Sequence, residues 1–144
     1  MNTIFIYLFI FAILLALELI YFRIADKCNI IDKPNERSSH STIVLRGGGV
    51  IFSFAMIAWI VMMAIQGDWQ VVLCYLPFLV GLLLVAGVSF WDDVKSLPDS
   101  VRLVAQFAAM ALMFWSMGIM HWNMWWIVII ALIVCVGATN VINF

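Results

Sequence analysis

Charge is what this chain has least of: 7 Lys and Arg and 8 Asp and Glu among 144 residues, 10% of the total, against 67% hydrophobic side chains. A soluble domain of this size leaves much of its surface in water and needs far more polar side chains to cover it, so that class is excluded. The net charge of −1 at pH 7 lacks the basic excess on which a nucleic-acid interface depends, and no nucleic acid is expected as a partner. Cysteine is scarce as well. Cys28, Cys74 and Cys135 are odd in number and widely spaced, which fits neither a disulfide framework nor a zinc site. The first apolar run, Thr3 to Phe22, has no Lys or Arg ahead of it and no small-residue cleavage site before Arg23. It reads as a retained membrane helix, not a signal peptide. Repeats of fixed period and low-complexity segments are missing too, which leaves 1–144 as a single transmembrane domain.

What the chain does have is long apolar runs. About 20 such residues span a bilayer as a helix, and five runs qualify, at roughly 3–24, 48–66, 70–90, 103–120 and 122–142. The expected fold is an all-α polytopic membrane protein of about five transmembrane helices. Arg23, Lys27, Lys33, Arg37 and Arg46 gather around the first gap, and Lys95 and Arg102 bracket the third. Lys and Arg resist translocation, so both polar loops, the first and the third, are expected on the cytoplasmic side with the amino terminus outside. Trp69, Trp122, Trp125 and Trp126 flank the two uncharged or acidic turns, as indole rings do at a membrane interface.

Three stretches then carry polar residues to one face. Arg46-Gly47-Gly48-Gly49 opens the second span. Glycines at a helix start let a ligand approach the backbone, and the free N–H groups, the helix dipole and Arg46 favour an anion there. The same residues also suit a topology signal followed by tight helix packing. Asp92 and Asp93 end the third span, where the helix dipole and their mutual repulsion both disfavour negative charge unless a cation compensates. Lys95, Arg102, the first loop or a divalent metal could supply it, and hard oxygen ligands of this kind suit Mg²⁺ with bound phosphates. The alternative is a plain acidic membrane boundary. Asn140 and Asn143 share a helix face near the end of the fifth span, and such amides need partners in a ligand or a neighbouring helix. Glu18, deep in the first span, is expected to pair with a helix outside this chain.

Asp32-x-Pro34-Asn35-x-Arg37-x-x-His40 with Arg46-Gly47-Gly48-Gly49, then Asp92-Asp93, Leu97-Pro98 and Arg102-x-x-x-Gln106, then Asn140-x-x-Asn143, resemble in order and spacing the polyprenyl-phosphate N-acetylhexosamine-1-phosphate transferases of glycosyltransferase family 4. Members of that family place prolines before the Arg-Gly-Gly element, where this chain has Ile43-Val44-Leu45. The resemblance implies transfer of an amino sugar 1-phosphate from a UDP-amino sugar to undecaprenyl phosphate in the bacterial inner membrane. That step initiates a lipid-linked envelope glycan such as O-antigen, capsule or wall polymer. It further implies Asp92 and Asp93 as catalytic and Mg²⁺-organising residues (Mn²⁺ being an alternative), Arg37, His40, Arg46 and Arg102 as phosphate-binding, and Asn140 and Asn143 as nucleotide-sugar-binding. The active face would be cytoplasmic, membrane lipid would surround the chain, and a homodimer is left open. The chain reaches Phe144 directly after an apolar run, so it is read as the amino-terminal part of a larger multi-helix transferase, with no turnover expected of these residues alone. The rival reading is a catalytically inactive membrane fragment or scaffold that binds prenyl phosphate or partner helices. A small transporter fits less well, because its polar groups belong at mid-membrane.

Overall fold

The computed structural model of the chain describes residues 3–32 and 42–142. Among them are five α-helices, α1 (Thr3–Lys27), α2 (Val50–Ile65), α3 (Trp69–Val94), α4 (Asp99–Ser116) and α5 (Trp125–Ile142), with a 3₁₀ turn at Ile119–His121 before α5. Each helix packs on its neighbours in the chain. The α3–α4 pair is the most extensive, followed by α2–α3, while α1 leans on α2 and α5 on α4.

The five helices fall where the apolar runs do, with instructive shifts. α3 continues through Asp92 and Asp93 as far as Val94, and α4 starts at Asp99, ahead of its apolar run. Thus the carboxylates and Arg102 sit on rigid helix ends. α1 and α3 are long and apolar enough to cross a membrane, whereas α2 and α5 are apolar but shorter. The 16 residues of α2 make a rod of about 24 Å at 1.5 Å per residue, short of the roughly 30 Å hydrocarbon core.

The most apolar window of α1 buries none of its residues within the chain, and that of α3 buries 11%. A core helix of a soluble protein would be mostly covered. Phe5, Phe9 and Phe11 of α1 are instead about two-thirds exposed, as are Trp115 on α4 and Trp125 on α5. Apolar surface on this scale needs lipid or other helices against it. The small interior is a seam between helices, built from Ala25, Ile60, Val72, Ala105, Phe114, Val128 and Val136. Trp59 of α2 and Tyr75 of α3 meet edge to face at 5.0 Å. At the far end of the α3–α4 hairpin, Ser116 Oγ donates to the Cys74 carbonyl at 2.7 Å, and Cys74 Sγ donates back to the Ser116 carbonyl at 3.6 Å.

One element lies outside an all-helical reading. β1 (Ile31–Asp32) pairs antiparallel with β2 (Val44–Leu45), Ile31 opposite Leu45 and Asp32 opposite Val44. β-Branched residues favour this pairing, and proline, which the resemblance would place here, has no N–H to give a ladder. α1 reaches it through a hydrogen-bonded end in which Ile30 N–H donates to the Ala25 carbonyl at 2.9 Å and Asn29 takes a left-handed φ of 55°. Asparagine tolerates that conformation better than most residues. The ladder returns the chain beside α1 just before α2 begins.

Candidate functional site

The end of the bundle where α1, α3 and α5 finish and α2 and α4 begin carries most of the polar side chains. Arg46 N–H donates to the Ile30 carbonyl at 3.1 Å, extending the ladder, and the Arg46 carbonyl accepts from Tyr21 Oη at 2.5 Å. Gly47 follows with φ +78°, a left-handed value that only glycine adopts without strain. α2 then starts at Val50, with Gly49 as its N-cap and no side-chain cap. On the α1 side of these glycines stands a carboxylate: a Cβ on Gly48 would lie 3.2 Å from Glu18 Oε1. Glu18 Oε2 is buried with no hydrogen-bond partner among the described residues. Glu18 thus stands close against the α1 side of Gly48, and the opposite side of the glycines is open.

On that side a cleft of about 430 Å³ runs between α2 and α3, with Gly47 and Gly49 on one wall and Ser89, Phe90 and Asp93 on the other. A second, smaller cavity of about 70 Å³ lies between α3 and α4, lined by Ser89, Asp92, Asp93, Arg102 and Gln106 among others. Asp93 and Ser89 border both. Successive helix residues diverge by about 100°, and the two aspartates accordingly differ in their surroundings.

Asp92 turns toward the loop. Its Oδ1 accepts the Leu97 N–H at 2.7 Å and its Oδ2 accepts from Arg102 Nη1 at 3.1 Å. The cation that a carboxylate pair at a helix C-terminus requires is therefore supplied, for Asp92, by the start of α4. Arg102 also donates from Nη2 to Asp99, one turn back on its own helix. The Asp99 hydrogen bond first, and the Asp92 charge next, push the Arg102 guanidinium above its ordinary value, so it stays charged at every pH of interest. Because Asp99 is 92% exposed, that contact contributes little to stability. The Asp92 contact, at 20% exposure, matters more. Arg102→Lys keeps the charge but cannot reach two carboxylates with a forked head. It is expected to lower the thermal midpoint in detergent by a few degrees, about 1 kcal/mol for one charge-assisted bond; an unchanged midpoint would mean the fork is dispensable.

One turn after Arg102, Gln106 accepts from Asn140 Nδ2 at 2.6 Å. Asn140 Nδ2 also donates to the Val136 carbonyl at 2.9 Å on its own helix. Asn140 therefore has the partner its amide needs, and through Gln106 it joins α5 to the polar cavity. Of the residues expected from sequence, the structure brings Arg46, Asp92, Asp93, Arg102 and Asn140 to this end of the bundle. Arg37, His40 and Asn143 lie outside the described residues. Gln106 and Tyr21 were assigned no role from sequence. The four-residue spacing of Gln106 from Arg102 was a usable signal, whereas nothing local marks Tyr21.

Mg²⁺ is the cation the resemblance implies. Among the described residues no three His, Cys, Asp or Glu side chains come together to hold a metal, and Arg102 already compensates Asp92. Mg²⁺ is commonly held by one or two carboxylates together with substrate phosphates, so of the pair Asp93 is the residue that would hold it or Mn²⁺.

Helices with lipid-suited exteriors and a polar, carboxylate-bearing end define a membrane-type protein with its chemistry at one edge. Residues 75–144 match the family model described as Glycosyl transferase family 4. The matched stretch takes in Asp92, Asp93, Arg102, Gln106, Asn140 and Asn143, and the resemblance seen in the motifs is borne out there: over these residues the chain is similar to the phospho-sugar transferases of glycosyltransferase family 4. The glycines after Arg46 precede the match. A comparison with curated proteins and one with solved structures gave no match.

Proposed function

We propose that this chain forms the substrate-binding edge of a transferase that moves an amino sugar 1-phosphate from a UDP-sugar to undecaprenyl phosphate. In that reaction an oxygen of the lipid phosphate attacks the β-phosphorus of the nucleotide sugar. The bond from that phosphorus to the bridging oxygen breaks, UMP leaves, and a lipid diphosphate sugar remains. The protein's task is to hold two anions in line and offset their charge, which is where most of the rate acceleration in such reactions arises.

The reading is carried by Asp93, which borders both the glycine-walled cleft and the polar cavity of Arg102 and Gln106. From there its carboxylate would take up or orient the proton of the lipid phosphate. Asp92 and Arg102 would hold the α3–α4 turn in shape beside it. Arg46, with Arg37 and His40 of the same loop, would offset phosphate charge, and Asn140 and Asn143 would hold the nucleotide sugar. Cytoplasmic placement of this edge, with the amino terminus outside, follows from the Lys and Arg bias, and the bacterial inner membrane follows from the lipid acceptor.

Deletion of the gene tests the proposal. Membranes given undecaprenyl phosphate and radiolabelled UDP-GlcNAc, or another UDP-amino sugar, are expected to lose labelled lipid diphosphate on deletion and regain it on restoration. Transfer that persists unchanged in the deleted strain for every UDP-amino sugar tried would leave the chain a scaffold that binds prenyl phosphate or partner helices.

A further inference from the structure

Tyr21 belongs to none of the motifs, yet it touches the parts of the site that two of them contribute. On α1, Glu18, Tyr21, Phe22 and Ala25 stand at the spacing of one helix face, and Ala25 is fully covered. From that face the Tyr21 hydroxyl donates to the Arg46 carbonyl at 2.5 Å, across 25 positions of sequence. Its ring meets Phe90 of α3 edge-on, with centroids 6.4 Å apart. Gly47 packs so tightly beneath it that an added Cβ would collide with Tyr21 Oη and lie 3.2 Å from both Tyr21 Cζ and Phe90 Cδ2. Phe90 and Asp93, one turn apart on α3, line the same cleft as Gly47, and Asp93 is near enough to interact electrostatically with Tyr21.

The Arg46–Gly47 backbone is thus held from two directions. The ladder fixes it through Arg46 N–H and the Ile30 carbonyl, and Tyr21 fixes it through the Arg46 carbonyl. The ladder holds one side of this backbone and the hydroxyl the other, where Gly47 and Phe90 line the same cleft. We propose that Tyr21 is a positioning residue, whose hydroxyl holds the Arg46–Gly47 backbone against the Phe90–Asp93 end of α3 and so sets how the first loop faces the aspartate pair. The kinetic consequence rests on the transferase reading, whereas the structural one does not.

Tyr21→Phe removes the hydroxyl and keeps the ring contacts, so the variant isolates the hydrogen bond. One such bond is worth on the order of a factor of five. Amide hydrogen exchange of the peptide covering residues 42–49, in the detergent-solubilised protein, is expected to speed up about fivefold, with α3 and α4 unchanged. In membranes, KM for at least one of the two phosphate substrates is expected to rise about as much, with kcat nearly preserved. Gly47→Ala supplies an independent check. Its methyl collides with the hydroxyl, so it should do less damage in the Tyr21→Phe background than in the wild type, a coupling that reports the contact, while the KM shift is the readout that a merely structural tyrosine would not move.

Unchanged exchange in Tyr21→Phe, or equal damage from Gly47→Ala in both backgrounds, overturns the proposal. Faster exchange with both KM values unmoved in an active enzyme also overturns it, since the loop would then be held without serving the site. Faster exchange and the expected coupling, with no transfer by the wild type even in membranes carrying the whole transferase, support the anchoring by Tyr21 and instead reject the transferase reading.

Discussion

Asp93→Asn is expected to reduce transfer in membranes by about two to four orders of magnitude, the range lost when a positioned acid or base is removed, while leaving the thermal transition in place. The amide has almost the volume of the carboxylate, so the cleft shared with Gly47 and Gly49 and the cavity shared with Arg102 keep their shape. What disappears is the charge and the proton acceptor. The neighbouring substitution should behave differently. Asp92 Oδ1 and Oδ2 accept from Leu97 N–H and Arg102, and an amide at that position turns either an oxygen away from the loop or an NH₂ toward the guanidinium. Asp92→Asn is therefore expected to lower the thermal midpoint and to reduce transfer less than Asp93→Asn does. Full turnover by Asp93→Asn, or the reverse ranking of the pair, would remove the proposed division of labour. The measurement is initial rate alongside thermal unfolding, for both variants at equal membrane content.

The second large effect falls at Gly81, in the middle of α3 and far from the aspartates in sequence. A Cβ there would stand 2.9 Å from the Ala109 carbonyl oxygen, 3.2 Å from Ala109 Cα and 3.3 Å from Leu112 Cβ. Those atoms are mostly the backbone of α4, which cannot swing aside as a flexible side chain could. Small residues let membrane helices approach this closely, and α3–α4 is the largest contact in the chain. Gly81→Leu is expected to cost at least the 1–3 kcal/mol typical of overpacking, and to separate the two helices that carry Asp93 and Arg102. Loss of a cooperative thermal transition in detergent would register it. Gly87 has nothing within 4 Å of where its Cβ would lie, so Gly87→Leu on the same helix serves as the control and should be close to neutral. Equal behaviour of the two variants would show that the α3–α4 contact does not govern stability.

Much of this arrangement could be read from the residues in order. Runs of apolar side chains longer than a soluble core can use mark the helices, because their only stable surroundings are lipid and one another. Asp92 beside Asp93 at a helix end announced a need for positive charge nearby, since the local electrostatics are unfavourable from both the dipole and the neighbour. The spacing of Arg102 and Gln106, and of Asn140 and Asn143, placed each pair on one helix face. Motif order led to the family, and the match over residues 75–144 agrees.

Other features depend on contacts between residues far apart in the chain, which no local pattern encodes. Ile31 and Val44 sit in a short ladder because the chain returns beside α1, although strand pairs of two residues have no periodicity to detect. Arg102 could have served Asp92, Asp93 or a bound phosphate, and its choice of Asp92 depends on how α4 leaves the turn. Tyr21 is one aromatic residue among many on an apolar helix, and its partner is 25 positions away. Helix identity and the residues' chemical types follow from composition, period and charge, all of them properties of neighbours along the chain. Which carboxylate meets the guanidinium, which glycine must admit a tyrosine, and where two loops face one another follow from the close approach of helices, set by the shapes of surfaces that meet only after folding.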